Sequence, residues 1–393
     1  MNIQQLRKLS YALFLFFVAT TVALDGMLHT PYGPLIIGAA PMSFGIVLLI
    51  FALGEKMPQF TRLHTLFFFY LFWSSLSYIW TTTPADTAWR LFLLNFYFMI
   101  MLIIYWYSIN TKQRLNHAYI AVFLAIFFLA RVVNYNFGME IQEGGGESGR
   151  YTAYDIGANE MAITLGFGMT FALYISSIYK KIWVRLLILG TIPAFISASF
   201  LTGSRMGFVI LLLGLIFGVY QVSRMQFIEK IIVSFAFIVS IGSIIKNIPK
   251  ELVQRVFSTW HNAKAGNFNE REVIWQIGFD GFKDQPFIGR GVDSFTRMSN
   301  NAHMDLEAHN TYISILVEYG IIGFVLYLSL VFGILFSILR LKGVDKYFLI
   351  ILLVQLLFAQ LTTNLQDNTI LWSFYALMIS HCWIMLKKQT LNQ

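Results

Sequence analysis

The chain has 393 residues, of which 57% are hydrophobic and 17% aromatic but only 12% charged, and its mean hydropathy is +0.65. That leaves too little polar surface to cover the apolar side chains in water, so a soluble fold is excluded and lipid must be the solvent. The net charge of +8 does not point to nucleic acid, because the basic residues come in short pairs between apolar runs, as charges that orient a membrane protein do.

The first apolar run, 9–24, follows Arg7 and Lys8 and has no small-residue cleavage site at Leu24-Asp25-Gly26, so it is expected to stay as a first span. Further runs lie at 34–53, 63–80, 88–108 and 115–133. A polar segment, 134–158, then carries Gly144-Gly145-Gly146 among Glu140, Glu143 and Glu147 and reads as a mobile loop. Four more runs follow at 159–179, 182–201, 206–222 and 227–246, and the last three lie at 311–339, 347–366 and 369–386. Each is close to the roughly 17 to 25 residues that cross a bilayer. The pattern predicts an all-α polytopic membrane protein of about 12 transmembrane helices, forming a single transmembrane domain over 1–393.

Residues 247–308 make the one soluble-sized segment, a large loop on the outer, periplasmic side. Within it, about 269–284 reads as a helix whose Arg271, Trp275, Gly278 and Phe282 share one face, suited to lying on the membrane surface against lipid. Pro286 ends that helix and Gly289-Arg290-Gly291 makes a turn. With both termini inside, cytoplasmic segments hold 16 of the 28 basic residues, from Arg7 to Lys388, against three acids, Glu55, Glu229 and Asp345. Cys382, the single cysteine, rules out an intrachain disulfide and a thiol metal site.

The orientation rule disfavours arginine on the outer side, so Arg90, Arg131, Arg150 and Arg205 are candidates for holding phosphate oxygens with the guanidinium fork. Arg205 follows Thr202-Gly203-Ser204 at a helix start, where free N–H groups also favour an anion. Snorkelling to lipid headgroups is the alternative. Among the histidines, His64, His117 and His381 fall near the cytoplasm, while His29, His261, His303 and His309 fall outside. His309-Asn310 enters the tenth span, and Gly320 and Gly323 follow it. Eleven residues are close to three turns, so this spacing puts Gly320 on the His309 face and lets a neighbouring helix approach beneath it. A histidine of ordinary pKa can take the proton of a sugar hydroxyl near neutral pH; packing at the interface is the alternative.

Three rival sites compete with this reading. Asp25 is the sole acid of the first outer loop. His303, Asp305, Glu307 and His309 alternate as divalent-cation ligands would, although a solvated loop explains them more simply. Glu318 is nine residues from His309, which puts it on the opposite helix face.

His309-Asn310, nine residues, and Gly320-Ile321-Ile322-Gly323 resemble the signature of the bacterial O-antigen ligase family. Thr202-Gly203-Ser204-Arg205 resembles that family's membrane-edge arginine motif, and Glu270-Arg271 with Trp275-Gln276-Ile277-Gly278 resembles its loop helix. The resemblance covers about 190–325. It implies a glycosyltransferase type C-like membrane fold, an undecaprenyl-diphosphate-linked glycan as donor, and lipid A core or a growing glycan as acceptor. It further implies no metal or other cofactor, His309 as base, and Arg205 and Arg271 holding the diphosphate; Arg90, as a further outer arginine, and Asn310, beside His309, are expected to bind substrate as well. The wider family includes O-antigen polymerases, whose arginine-to-glycine pattern occurs at Arg255 and Gly266. A transporter of lipid-linked glycans is a further alternative, but it would need a cationic cavity open to both sides, whereas these arginines gather on one.

The charge asymmetry makes a topology prediction. In a variant lacking Cys382, a cysteine at Lys264 should react with a membrane-impermeant thiol reagent in cells with a permeabilised outer membrane, and one at Lys342 should not. Labelling of the Lys342 position alone would reverse the orientation.

Overall fold

A computed structural model describes residues 2–23, 33–138, 150–154, 156–247, 271–301 and 308–391. The described residues form helices and connections with no strand. The helices are α1 (Ile3–Ala23), α2 (Gly33–Ala52), α3 (Arg62–Leu76), α4 (Ala85–Ser108), α5 (Lys112–Gly138), α6 (Ala158–Ile178), α7 (Ile182–Leu189), α8 (Ile192–Leu201), α9 (Arg205–Ser223) and α10 (Phe227–Asn247). They continue as α11 (Arg271–Asp284), α12 (Ser294–Asn301), α13 (Thr311–Leu339), α14 (Gly343–Ala359) and α15 (Thr369–Leu391).

Among the described residues, every apolar run read from the sequence carries helix, at 182–201 as the pair α7–α8, and seven of these segments are long and apolar enough to cross a membrane. The chain is thus a multi-pass membrane protein. Four runs end, bend or break inside what hydropathy reads as one span, one of them, the tenth run, at Gly320. The third stops at Leu76 and tightens into a 3-10 turn at Ser77–Ile79. The seventh bends at Gly190-Thr191, where Pro193 starts α8 without an N–H to continue α7. The eleventh ends at Ala359, which leaves 360–368 as a connection. The segment expected to be a loop from residue 134 is still helical to Gly138, and its glycine run lies outside the described residues.

Small residues set how closely the helices approach. A Cβ on Gly207 of α9 would overlap Ala162 of α6, so these two helices meet nearly backbone to backbone and Arg205 is held beside α6. The alternation of helices gives the bundle two ends. At one, Lys112 and His381 meet Asp345 at 2.8 and 3.0 Å, and Arg185 meets Glu229 at 2.9 Å. At the other, connections bond to one another: Tyr151 N–H to Leu201 C=O at 3.0 Å, and Thr81 Oγ1 to Val292 C=O at 2.6 Å.

Helix α13 shows why that second end is built as it is. Its 29 residues would run ~44 Å as one rod, well beyond the ~30 Å of a hydrocarbon core. Gly320, with φ 66° and ψ −168°, breaks it. The piece before the break is enclosed by protein, whereas Ile321, Val325, Phe332 and Phe336 after it are exposed. Residues 321–339 alone span ~28 Å, close to one bilayer core.

A broken helix frees backbone groups that cannot stay unpaired away from water. Residues 286–291 take them: Arg290 and Gly291 donate to the Val317 and Glu318 carbonyls, each at 2.9 Å, and Ile321 and Ile322 donate to Pro286 and Phe287 at 2.8 and 3.2 Å. Trp73 of α3 donates to the Tyr319 carbonyl at 3.0 Å.

The eleven-residue spacing from His309 to Gly320 therefore needs a correction. It does not mark one face of a continuous helix, because Gly320 is a break and what reaches it is the backbone of 286–291. Of the two motif glycines, Gly323 is the one that admits a neighbouring helix, at Trp73 of α3. Gly320→Ala forces a left-handed φ on a residue with a side chain and drives its Cβ into the Phe287 carbonyl. It should cost at least ~1–3 kcal/mol, read as a lowered unfolding midpoint in detergent, whereas Gly343→Ala, with an open surround at similar φ, should cost less.

Candidate active site

His309 sits in the turn between the described end of the large loop and α13, half-buried and with φ 46°. A left-handed conformation costs a non-glycine residue about 1–2 kcal/mol and persists where its neighbours dictate it. Here they do, on both sides. Before it, the Ala308 carbonyl accepts from Trp275 Nε1 of α11 at 3.0 Å. After it, Asn310 caps α13 by accepting from Tyr312 and Ile313 N–H at 3.0 and 3.3 Å. Thr311 then ties the turn to the α14–α15 connection: its N–H reaches Gln360 C=O at 2.9 Å and its hydroxyl reaches Thr363 C=O at 2.8 Å.

The α11 face expected to lie on the membrane surface packs instead on protein. Ile274, Trp275 and Phe282 join Phe295 of α12 with Ile313 and Val317 of α13, and a Cβ on Gly278 would press on Phe295 and Ile313. Arg271 opens α11 one turn before Trp275. The loop helix that begins at Arg271 is thereby docked on the helix that begins beside His309.

Arg205 starts α9 at the same end of the bundle. Ser204 caps α9 by accepting from Gly207 N–H at 3.4 Å, and Gly203 turns the chain with φ 60°. Arg205 is half-buried, and no hydrogen bond or ion pair ties its guanidinium among the described residues. Both α9 and α13 pack on α14, where Gln355 Nε2 donates to Ile210 C=O at 2.8 Å and Gln360, five residues on, takes Thr311 N–H. Helices α9 and α13 are thus tied to α14 and to the connection that directly follows it.

Arg150, grouped with Arg205 on sequence grounds, has a different position. Its Nε donates to the Thr202 carbonyl at 2.8 Å and its Nη2 to Asn159 at 3.1 Å, so it braces the turn that precedes Arg205. Arg90 is exposed in the second turn of α4, and no bond among the described residues joins it to His309 or Arg205. Asp25, His303, Asp305, Glu307, Arg255 and Gly266 lie outside the described residues. At the opposite end His64 bonds Thr61, His117 bonds Tyr11, and His381 bonds Tyr119 and Asp345.

Glu318 does not meet His309. It is 2% exposed, and its carboxylate accepts from Gln366 Nε2 at 2.7 Å and from the backbone N–H of Asp293. Asp293 is itself left-handed, at φ 57°, and burial raises its carboxyl above the ordinary value, against a lowering hydrogen bond from Thr296. Neither Gln360 nor Gln366 is among the residues that the sequence motifs point to, although polar residues at the end of an apolar run are a signal for such a role.

Residues 190–328 match the model of a family described as O-antigen ligase. The match runs from the bend before α8 to beyond Gly323 and takes in Arg205, Arg271, Trp275, His309 and Gly320, which bears out the resemblance drawn from those motifs. A search of curated proteins returns no match.

The Asn310 cap makes a stability prediction. Asn310→Ala should cost about 1 kcal/mol, while Asn310→Asp keeps the accepting oxygen and should cost only tenths, measured by denaturant or thermal unfolding of the purified protein. Equal losses in the two variants would remove the cap from the account of this turn.

Proposed function

We propose, from the match of residues 190–328 to the O-antigen ligase family, that this protein is a glycosyltransferase that moves a polysaccharide from undecaprenyl diphosphate to lipid A core. The reaction takes place on the periplasmic side of the bacterial inner membrane, with twelve spans, both termini in the cytoplasm and residues 247–308 outside. The observation that carries the reading is the locked turn at His309: its conformation is dictated by Trp275 before it and Asn310 after it, at the bundle end that also bears Arg205.

In this mechanism an acceptor hydroxyl attacks the anomeric carbon of the donor from the face opposite the diphosphate, and the configuration inverts. His309 takes the hydroxyl proton as the new C–O bond forms. The bond to the diphosphate breaks and its electron pair leaves with undecaprenyl diphosphate. Arg205 and Arg271 hold the phosphate oxygens and stabilise the developing charge, with Arg90 and Asn310 as further binding residues. The scheme assigns no step to a metal, so a chelator should leave turnover unchanged. A polymerase in the wider family would use the same chemistry with a lipid-linked repeat as acceptor. The lipopolysaccharide of a deletion strain separates the two: accumulated long lipid-linked polymer with bare core means ligase, and core bearing one repeat unit means polymerase.

His309→Ala should slow transfer by on the order of 100- to 10,000-fold with donor binding little changed. Arg205→Lys should restore little of what Arg205→Ala loses, because an ammonium lacks the planar fork. Purified protein with lipid-linked donor and acceptor measures both, and wild-type turnover by His309→Ala would end the proposal.

A further inference from the structure

Glu318 is buried, ionisable and unused by the mechanism above, yet it touches both of the segments that flank His309. Its carboxylate takes Gln366 Nε2 at 2.7 Å, and Gln366 belongs to the 360–368 connection whose Gln360, Thr363 and Leu365 grip Thr311, two residues after His309. The same carboxylate takes the Asp293 N–H, and the Glu318 carbonyl takes Gly291 N–H at 2.9 Å. Residues 286–293 lie directly after α11, the helix that starts with Arg271 and whose Trp275 holds Ala308. One residue therefore joins the segment that carries the loop helix to the connection that grips the His309 turn.

We infer that Glu318, paired with Gln366, is a positioning residue that sets where the α11 loop stands relative to His309. The inference rests on the proposed function, since it assigns Glu318 to the geometry of that same site. Its carboxylate does not move a proton in the reaction and does not touch substrate. It supplies accepting oxygens to two donors, and the Gly320 break two residues on lets the 286–291 backbone bond the Val317 and Glu318 carbonyls, which brings Asp293 N–H to the side chain.

The test is an exchange of the pair in the full-length protein, assayed with lipid-linked donor and acceptor. Glu318→Leu removes both accepting oxygens, and Gln366→Glu replaces the donor amide that faces Glu318 with a second acid. Each single variant should lose on the order of 100-fold in kcat, the scale of a displacement of about 1 Å at a site, with KM for the donor little changed. Backbone amides of 286–293 should exchange hydrogen faster in both. In the double variant, Glu318→Gln with Gln366→Glu, the new amide at position 318 can donate to the new carboxylate at position 366, and the amide oxygen can accept from Asp293 N–H. Its kcat should return to within about tenfold of wild type, and exchange should slow again.

An inserted double variant as inactive as Gln366→Glu overturns the inference and makes Glu318 a proton-transfer residue. Wild-type kcat in both single variants overturns it as well, as does a double variant that fails to accumulate. If a single variant does not accumulate, the double variant alone decides. His309→Ala in the same assay keeps the two readings apart: full activity there sinks the proposed function, whereas an inactive His309→Ala beside an unrestored double variant sinks only the role of Glu318.

Discussion

Hydrocarbon offers no hydrogen bonds, so a helix that breaks near it must find partners for every backbone group it releases. In this protein that demand falls on α13 at Gly320, and residues 286–291 and Trp73 meet it. Much of the site's placement follows. The segment that satisfies the break is the tail of α11, so pairing it fixes the loop helix, and the loop helix in turn fixes the Ala308 carbonyl through Trp275. The strained turn at His309 is then the end of a chain of bonds that begins with unpaired carbonyls at 317 and 318.

Helix existence is legible because a bilayer imposes one length and one composition, and all twelve apolar runs carry helix. Where those helices stop or bend is not. The run at 347–366 looks uniform, yet α14 ends at Ala359 because Gln360 turns its carbonyl to Thr311, a partner far back in the chain. Hydropathy averages over such a residue, and a long-range bond leaves no periodicity. The seventh run is readable in principle, since Pro193 stands inside it.

The site is legible as a set of residue types rather than as an arrangement. The motifs single out His309, Asn310, Gly320 and Trp275, and these do gather at one turn and one break, but the spacing presents Gly320 as a packing contact between helices. Spacing alone supports that reading as well as the true one, because a glycine that lets a neighbour approach and a glycine that adopts positive φ look alike in sequence. Arg150 shows the reverse case: an outer arginine chosen for its charge is committed to the Thr202 carbonyl, and its hydrogen bonds rather than its sign explain its place. Arg205, at the start of the helix that follows this turn, carries no such commitment among the described residues.

The four bonds that dock 286–291 on α13 all run from main chain to main chain. Such bonds are indifferent to which side chains the segment carries, apart from Gly289 and Gly291, where a Cβ would strike the Glu318 carbonyl or Thr81. They are strict, however, about count. One residue added or removed between Pro286 and Gly291 shifts donors past their acceptors together. This stretch can therefore drift freely in composition and hardly at all in length, the opposite of what is usual for a surface loop.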